Sequence, residues 1–294
     1  MGQPPLERLL EELDEYSVES EAVDRRAWVS AWSRANDTYL ELERSEAGVA
    51  NAGSHRPLDR VYARWADAVQ AHPHYRHTFR HVPTTLGMVE LDKLVVYQMH
   101  VTRNFVEEGV AALGSSPTPR AVFDRCLPLA APAAPVRIQK LDSRRYLFSS
   151  PSADLRFHDP ALLSPAVCAA HPSFGPVAGL LGLPVGFGCN FLNVIRVGNR
   201  HLLHNGYHRA CALRAAGVTH APCVIQTATR ADEIRAITAT RVADDPSFYF
   251  ESARPPLLKD FFDPRLCALI DLRPVMRHVE LRFEVREYTA ADCA

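Results

Sequence analysis

The spacing of hydrophobic and polar residues divides the chain into a helical first part, a middle part of alternating strands and helices, and a charged end. In residues 6–13 and 58–71 the apolar side chains recur every three or four positions, which predicts amphipathic helices. The apolar run at residues 89–98 has no clear period and fits either a helix or a strand. We expect a buried helix there.

The middle part predicts a hairpin that leads into a short helix. Gly198-Asn199 is a two-residue turn signal between two apolar segments. Further on, small residues surround Leu213, and Gly217 is placed to end a helix. We predict, in order, a strand at residues 191–197, a returning strand at 200–203, a helix at 207–216, a strand at 222–226 and a helix at 230–241.

An Ala- and Pro-rich connector at residues 129–135 marks the clearest boundary in the chain. Directly after it, residues 136–141 predict the first strand of an α/β core. The predicted fold class is α+β. Its parts are a mainly helical N-terminal region at residues 1–130, the core at 136–241, and a C-terminal arm and strand at 242–294.

The charged end contains two distinct patterns. Residues 252–265 combine prolines, aromatic residues and charges, which predicts a loop packed across the core. Residues 279–288 alternate apolar with charged residues, which predicts a half-buried strand. The alternating Glu and Arg residues suit a protected edge, and strand exchange in a homodimer would fit them.

The junction before the 207–216 helix has the composition of an anion site. The first N–H groups of a helix lack intrahelical acceptors, and the helix dipole favours negative charge there. Gly206 allows a close backbone approach, and Arg209 can grip a phosphate or carboxylate with two parallel hydrogen bonds. A plain strand-to-helix turn, with Arg209 paired to a local carboxylate, is the structural alternative.

In these residues the sequence resembles the ParB/sulfiredoxin superfamily. The shared pattern is a hairpin, then Gly206, His208 and Arg209 at a helix start, a short Ala/Leu helix, a glycine, and a strand opened by proline. The resemblance covers residues 193–239 in order and spacing. It implies an α/β domain whose helix N-terminus holds nucleotide phosphates. The residues that this implies for nucleotide binding are Asn205, Gly206, Tyr207, His208 and Arg209, with Arg144 as a further phosphate contact.

Two departures from the superfamily narrow the expected activity. Tyr207 stands where sulfiredoxin has its nucleophilic cysteine, so sulfinic-acid chemistry cannot follow the same route. No helix-turn-helix pattern follows the motif, unlike in ParB partition proteins. The branch that remains includes a nucleotide-dependent kinase for free serine, so we expect a phosphotransferase acting on a small-molecule substrate. Two alternatives stay open: a CTP- or ATP-gated DNA-binding regulator, and a nucleotide-independent enzyme that holds a carboxylate substrate at the same helix end.

Phosphoryl transfer depends on positioning and charge neutralisation more than on a covalent nucleophile. The resemblance implies ATP or another nucleoside triphosphate together with Mg²⁺. His208 or His204 could transfer a proton near neutral pH. Glu251 is a further catalytic candidate, and Glu251 and Asp260 are the acidic residues considered as Mg²⁺ ligands.

The histidines between residues 72 and 81 raise the question of a metal site. Helical spacing could place His74, His77 and His81 on one side, but no cysteine or acidic residue lies within the stretch to complete the ligand set. A solvated basic segment is the simpler interpretation, and we assign no metal site.

Composition limits the partners and the cellular location that we expect for the protein. The net charge of −1 argues against a nucleic-acid partner, since such proteins usually carry a basic excess. No apolar run is long enough for a membrane span, and the first residues lack a signal-peptide pattern. The seven cysteines have no C-x-x-C spacing, so we interpret them as reduced core thiols. We therefore expect a cytoplasmic protein with no membrane partner.

Overall fold

The computed structural model describes residues 5–17, 25–129, 134–164, 166–167, 175, 177–188 and 190–290. Helices and sheets are both present, so the fold class is α+β, as predicted. The chain divides into two compact units. The first combines residues 1–130 with 189–273, and the second combines residues 131–188 with 274–294. These units cut across the segments proposed from the sequence, because distant parts of the chain come together in each.

Most helices and strands of the described residues are short, with the 21-residue helix α2 as an exception. The α-helices are α1 (Leu6–Tyr16), α2 (Arg25–Ser45), α3 (Ala63–Ala71), α4 (Pro73–Thr78), α5 (Arg103–Leu113), α6 (Pro119–Cys126), α7 (Tyr207–Ala215), α8 (Ala231–Ile237), α9 (Thr240–Asp244) and α10 (Pro246–Phe250). Turns of 3₁₀-helix occur at Val49–Ala52, Arg60–Tyr62, Leu91–Lys93 and Leu258–Phe262. The strands are β1 (His55–Pro57), β2 (Thr84–Glu90), β3 (Arg137–Lys140), β4 (Arg145–Ser150), β5 (Leu155–Phe157), β6 (Ala161–Leu162), β7 (Leu181–Gly182), β8 (Val185–Phe187), β9 (Asn193–Val197), β10 (Arg200–Asn205), β11 (His220–Thr227) and β12 (Arg277–Arg282).

The first unit is built on a five-stranded sheet with the order β1-β2-β11-β9-β10. Strand β11 pairs with β2 in antiparallel and with β9 in parallel orientation. The predicted hairpin is confirmed as β9 and β10, and the following helix and strand are confirmed as α7 and β11. Gly217 has a φ of 82°, a left-handed conformation that ends the helix as its sequence position predicted.

The helix expected at residues 89–98 is wrong. Strand β2 runs to Glu90, the Leu91–Lys93 turn follows, and the chain then continues in extended form, where Val95 bridges Leu202 and Leu257. Strand β2 lies inside the sheet, between β1 and β11. Only residues 89 and 90 of the run belong to β2. Residues 94–96 are buried, and their backbone bonds to β10 on one side and to residues 256–258 on the other, so the run forms a covered extended segment without a two-residue period.

Helices α5, α6 and α7 contribute to the main hydrophobic core together with the sheet. Helices α5 and α7 approach closely at small residues. A Cβ atom added at Gly109 would lie 2.7 Å from the Cβ atom of Ala212. Any larger residue at position 109 would therefore push the two helices apart.

The cysteines of the described residues are free thiols. Cys126, Cys211 and Cys223 are buried, and Cys267 is half-buried. Burial raises the pKa of the Cys126 and Cys211 thiols to about 12, which makes both unreactive. The remaining three, Cys168, Cys189 and Cys293, lie outside the described residues.

Residues 252–265 are fastened to α2 through a buried ion cluster. The side chain of Arg254 is fully buried; it donates two hydrogen bonds to Asp260 at 2.6 and 2.7 Å and two to Glu46 at 3.1 and 3.2 Å. Burial alone would lower the pKa of Arg254, but the two carboxylates raise it. The guanidinium therefore stays charged within the first unit.

The second unit contains a three-stranded sheet with the order β12-β4-β3 and two smaller pairs, β5-β8 and β6-β7. The strand expected at residues 136–141 forms as β3. It pairs with β4 in this unit, so the expectation that it opens the sheet of the β9-β10 hairpin is wrong. The strand expected at 279–288 forms over its first part only, as β12.

No helix within the described ranges is both long and apolar enough to cross a membrane.

Candidate functional site

The candidate site lies where β10 ends and α7 begins. The β9-β10 ladder has an irregularity between Leu203 and Asn205, and Gly206 then turns the chain into the helix with a φ of 100°. A Cβ atom at Gly206 would lie 2.6 Å from Leu192 Cδ1, so both the backbone conformation and the space require glycine. The turn thus presents the first N–H groups of α7, which is the geometry that favours an anion.

The Tyr207 hydroxyl fastens a second segment of chain beside this turn. It donates to the Leu203 carbonyl at 2.9 Å and accepts from the backbone N–H groups of Tyr97 at 3.0 Å and Gln98 at 3.3 Å. Tyr207 is buried, and this burial raises its pKa. The tyrosine predicted to contact a nucleotide therefore has its side chain engaged with backbone, and only its main chain lies at the helix end.

His208 contacts the start of α5, a helix that comes earlier in the chain. Its Nε2 accepts a hydrogen bond of 2.9 Å from the backbone N–H of Thr102, the residue before α5, and its ring meets Phe105 edge-on at 5.3 Å. A nitrogen that accepts from an N–H carries no proton, so the neutral ring has its hydrogen on Nδ1. If His208 takes up a proton at Nε2, it must release the N-terminus of α5.

Arg209 is buried and donates to the main chain. Its Nη1 donates to the carbonyl of Asn190 and, at 3.5 Å, to that of Cys126. These bonds hold the end of α6 and the segment before β9 against the start of α7. The residue predicted to grip phosphate therefore has part of its donor capacity committed to the frame of the site.

His204 and Asn205 form the half-buried edge of the site. The carbonyl of His204 accepts from the Tyr97 hydroxyl at 3.1 Å, and the two rings lie 6.4 Å apart. The Asn205 amide donates to the Phe191 carbonyl at 3.4 Å, which the Asn193 amide also reaches at 3.2 Å. Side-chain amides therefore line the end of the hairpin next to the helix N-terminus.

The segment from Tyr97 to Thr102 was not recognised as part of the site from the sequence. Its residues follow an apolar strand-like run, as binding residues often do, but the expected helix at 89–98 hid that signal. Arg241 of α9 approaches this segment, with its Nη2 3.1 Å from the Met99 sulfur. It also lies near Tyr249: burial raises the pKa of this tyrosine, and the positive charge of Arg241 counteracts that rise. Arg241 is a half-exposed cation beside the Tyr97–Thr102 segment.

Two other sequence candidates of the first unit are engaged with arginines. Glu251 is exposed at the end of α10, where its charge acts on Arg200. Both carboxylate oxygens of Asp260 accept from Arg254, and one also accepts from the Leu257 N–H at 2.9 Å. Both oxygens of Asp260 are thus engaged, so the role of metal ligand does not fit this residue, whereas Glu251 keeps an exposed carboxylate.

Arg144 belongs to the second unit, in the turn between β3 and β4. Its N–H donates to Asp142 at 2.8 Å, and its side chain is exposed. The turn borders an open hollow of about 780 Å³ lined by Asp142, Ser143, Arg144, Arg145, Arg282, Phe283 and Glu284. The pKa of Asp142 is lowered by the Arg144 N–H and by the Arg145 side chain. Charges of both signs line this hollow, so it lacks the one-sided charge of a phosphate site.

The histidine-rich stretch forms the short helix α4. His72 caps it by accepting from the His74 N–H at 3.2 Å. Across the described ranges, no group of three or more His, Cys, Asp or Glu residues is arranged to hold a metal ion.

Neither a protein-family model, nor a curated protein, nor a solved structure matches this chain.

Proposed function

We propose that this chain is a nucleotide-dependent enzyme, a phosphotransferase for a small-molecule substrate, which holds nucleotide phosphates at the N-terminus of α7. The observation that carries the proposal is the Gly206 turn. It ends a strand in a left-handed conformation and starts a nine-residue helix, whose first N–H groups have no acceptor within the helix. Backbone N–H groups at a helix start bind phosphate in many nucleotide sites.

The roles that we assign to the site residues from their geometry differ from those that the sequence motif implies. We assign phosphate binding to the N–H groups of the turn and to Asn205. Tyr207, His208 and Arg209 act as positioning residues, because their side chains bond to the backbone of residues 97–98, 102, and 126 with 190. His204 is the residue that we assign to proton transfer, since the Nε2 of His208 is already an acceptor.

Mg²⁺ would enter with the nucleotide and neutralise charge on its phosphate oxygens. Of the two carboxylates considered from the sequence, Asp260 is bonded to Arg254, and Glu251 is exposed at the end of α10. The proposal assigns no side chain of this chain to the metal.

Binding is tested by a thermal-shift titration with ATP, CTP, GTP and ADP, each with Mg²⁺. A ligand at about 100 times its Kd adds roughly 2.7 kcal/mol to stability, which raises the melting temperature measurably. The key variant is Asn205→Asp, which keeps the side-chain size but puts a negative charge at the helix end. The matched control is Asn199→Asp, in the exposed turn at the opposite end of the same hairpin.

We expect a nucleotide-dependent shift in the wild type and in Asn199→Asp, and its loss in Asn205→Asp. Formation of ADP from ATP should then depend on an added amino acid or alcohol as phosphate acceptor. The absence of a shift with every nucleotide would refute the proposal. A shift with a carboxylate ligand that only Asn205→Asp abolishes would instead favour the nucleotide-independent alternative.

A further inference from the structure

Strand β12 is the first part of an alternating segment that extends beyond its partner strand. The apolar–charged alternation covers residues 279–288, but the pairing of β12 with β4 ends at Arg282 opposite Arg145. One more bond follows, from the Phe283 N–H to the Arg144 carbonyl at 3.2 Å. The chain of β4 turns away at this point, so the last residues of the pattern have strand composition without a neighbouring strand among the described residues.

The exposed surface of this segment is large. Strand β12 lies at one edge of the three-stranded sheet. Beyond the strand, Val285 is 57% exposed and Tyr288 is 85% exposed. Open strand edges with exposed apolar residues are templates for pairing with another chain.

The backbone of β12 offers hydrogen bonds along its outer edge. In an antiparallel ladder, alternate residues direct both their N–H and C=O groups to the same side. Because the N–H of Phe283 points toward β4, the groups of Glu280 and Arg282 point to the outer edge, and those of Glu284 follow the same alternation.

We propose that a second copy of this chain pairs with β12 edge to edge, in antiparallel orientation, with Phe283 of both copies at the two-fold axis. The two three-stranded sheets then form one continuous sheet. Charge complementarity identifies the partner as a second copy of the chain. In this register Arg282 lies opposite Glu284 of the second copy, and Glu280 lies opposite Arg286. By symmetry each pair occurs twice.

The charge pattern discriminates between registers. Along one face, Glu280, Arg282, Glu284 and Arg286 change sign at every step of two residues. Centring the pair on Arg282 would place this arginine opposite itself and Glu280 opposite Glu284, which is destabilising. Centring it on Leu281 would pair Glu280 with Arg282 but leave Arg286 without an acidic partner. Centring it on Phe283 satisfies all four charges and also places Leu281 against the exposed Val285.

Within one chain these charges form only surface pairs. Arg286 and Glu284 lie 2.7 Å apart with exposed side chains, and Arg282 and Glu280 lie 3.4 Å apart. Such exposed pairs contribute little to the stability of a monomer. Of these four charges, only Glu280 has an ion-pair partner on another strand of the described residues, Arg145 of β4 at 3.7 Å. A second copy would supply cross-strand partners for Arg282, Glu284 and Arg286.

The test is sedimentation equilibrium of the full chain across a concentration series up to about 100 μM, which spans weak and strong association. The wild type should reach twice its monomer mass of 32.7 kDa. Arg282→Glu and Glu284→Arg each place like charges opposite one another, and each should weaken the dimer about tenfold or more. The double variant R282E/E284R restores opposite charges in the Phe283-centred register and should recover the dimer.

Lys140→Glu is the matched control. It changes the net charge by the same amount as Arg282→Glu, but on β3, the other edge strand of the sheet. It should leave the association unchanged. The substituted side chains are exposed, and an unchanged circular dichroism spectrum will show that the variants fold. A monomeric wild type would overturn the proposal, as would a double variant that stays dissociated or a Lys140→Glu variant that dissociates equally.

Discussion

The buried His201, which is hydrogen-bonded to the exposed His55, should make the stability of the first unit depend on pH. His201 on β10 is 3% exposed, and its Nε2 lies 3.2 Å from Nδ1 of His55 on β1. Arg196 lies on the far side, with Nη1 3.5 Å from His55 Nε2. Since arginine can only donate, His55 Nε2 is an acceptor, His55 Nδ1 carries the hydrogen, and His201 Nε2 accepts it. A proton added to His201 at Nε2 would face that N–H.

Burial first, and the nearby charges of His55 and Arg196 second, lower the pKa of His201 to about 4. The unfolded chain, with a pKa near 6.5, takes up its proton first as the pH falls. The contribution of His201 is therefore fully present above about pH 6.5 and is lost progressively toward pH 4. One pKa unit corresponds to about 1.4 kcal/mol, so the loss is roughly 2 kcal/mol at pH 5 and about 3 kcal/mol below pH 4.

The assay is urea denaturation of wild type and His201→Gln at several values between about pH 7.5 and pH 5, where most carboxylates stay ionised. Glutamine keeps an acceptor for His55 but does not titrate. The free energy of unfolding of the variant should therefore fall less over this range, by about 2 kcal/mol. His77→Gln, on the exposed helix α4, is the matched control and should follow the wild type. Equal pH dependence of wild type and His201→Gln would refute the reasoning.

Three further substitutions test how the first unit is held together. Arg254→Met removes the cation between two carboxylates and should lower the free energy of unfolding by about 3–5 kcal/mol in urea, whereas Arg265→Met, at an exposed pair, should cost under about 1 kcal/mol. Tyr207→Phe removes the hydroxyl that bonds to the Leu203 carbonyl and to the N–H groups of Tyr97 and Gln98. It should lower the free energy of unfolding by about 1–3 kcal/mol and speed amide exchange at residues 97 and 98. Gly206→Ala should cost about 1–3 kcal/mol or more through backbone strain and contact with Leu192, read from its thermal melting.

Much of the hairpin and helix around Gly206 is predictable because its signals are local. Gly198-Asn199 specifies a two-residue turn, and Gly217 adopts the left-handed conformation that ends α7. These features need no knowledge of the rest of the chain. The helix predicted at residues 89–98 failed for the opposite reason. Its apolar run reflects the burial of residues 94–96 between β10 and residues 256–258, and that is a property of tertiary contacts.

The grouping of chain segments into the two units also depends on contacts between residues far apart in the sequence. Strand β12 pairs with β4, from which it is separated by more than a hundred residues. The alternation at residues 279–288 predicts a strand but carries no information about its neighbour. The same limit applies to the site: the contact of Gln98 with Tyr207 joins residues 109 positions apart, so the Tyr97–Thr102 segment could not be assigned from the motif alone.

The three consecutive side chains after Gly206 explain why a motif can be recognised in the sequence although its side chains do not take the roles that the resemblance implied. Tyr207 holds the Tyr97–Gln98 backbone, His208 caps α5, and Arg209 bonds to the end of α6 and to the segment before β9. All three stabilise the position of the helix N-terminus, so their loss should lower stability and ligand binding together.

Asn205 lies at the end of the strand, where a carboxylate would repel an anion without removing any of those bonds. If Asn205→Asp loses binding at unchanged stability while Tyr207→Phe loses both, the helix end binds the ligand and the motif side chains position it. If Tyr207→Phe destabilises the fold while both variants bind the ligand normally, the ligand is held elsewhere and the turn is a purely structural junction.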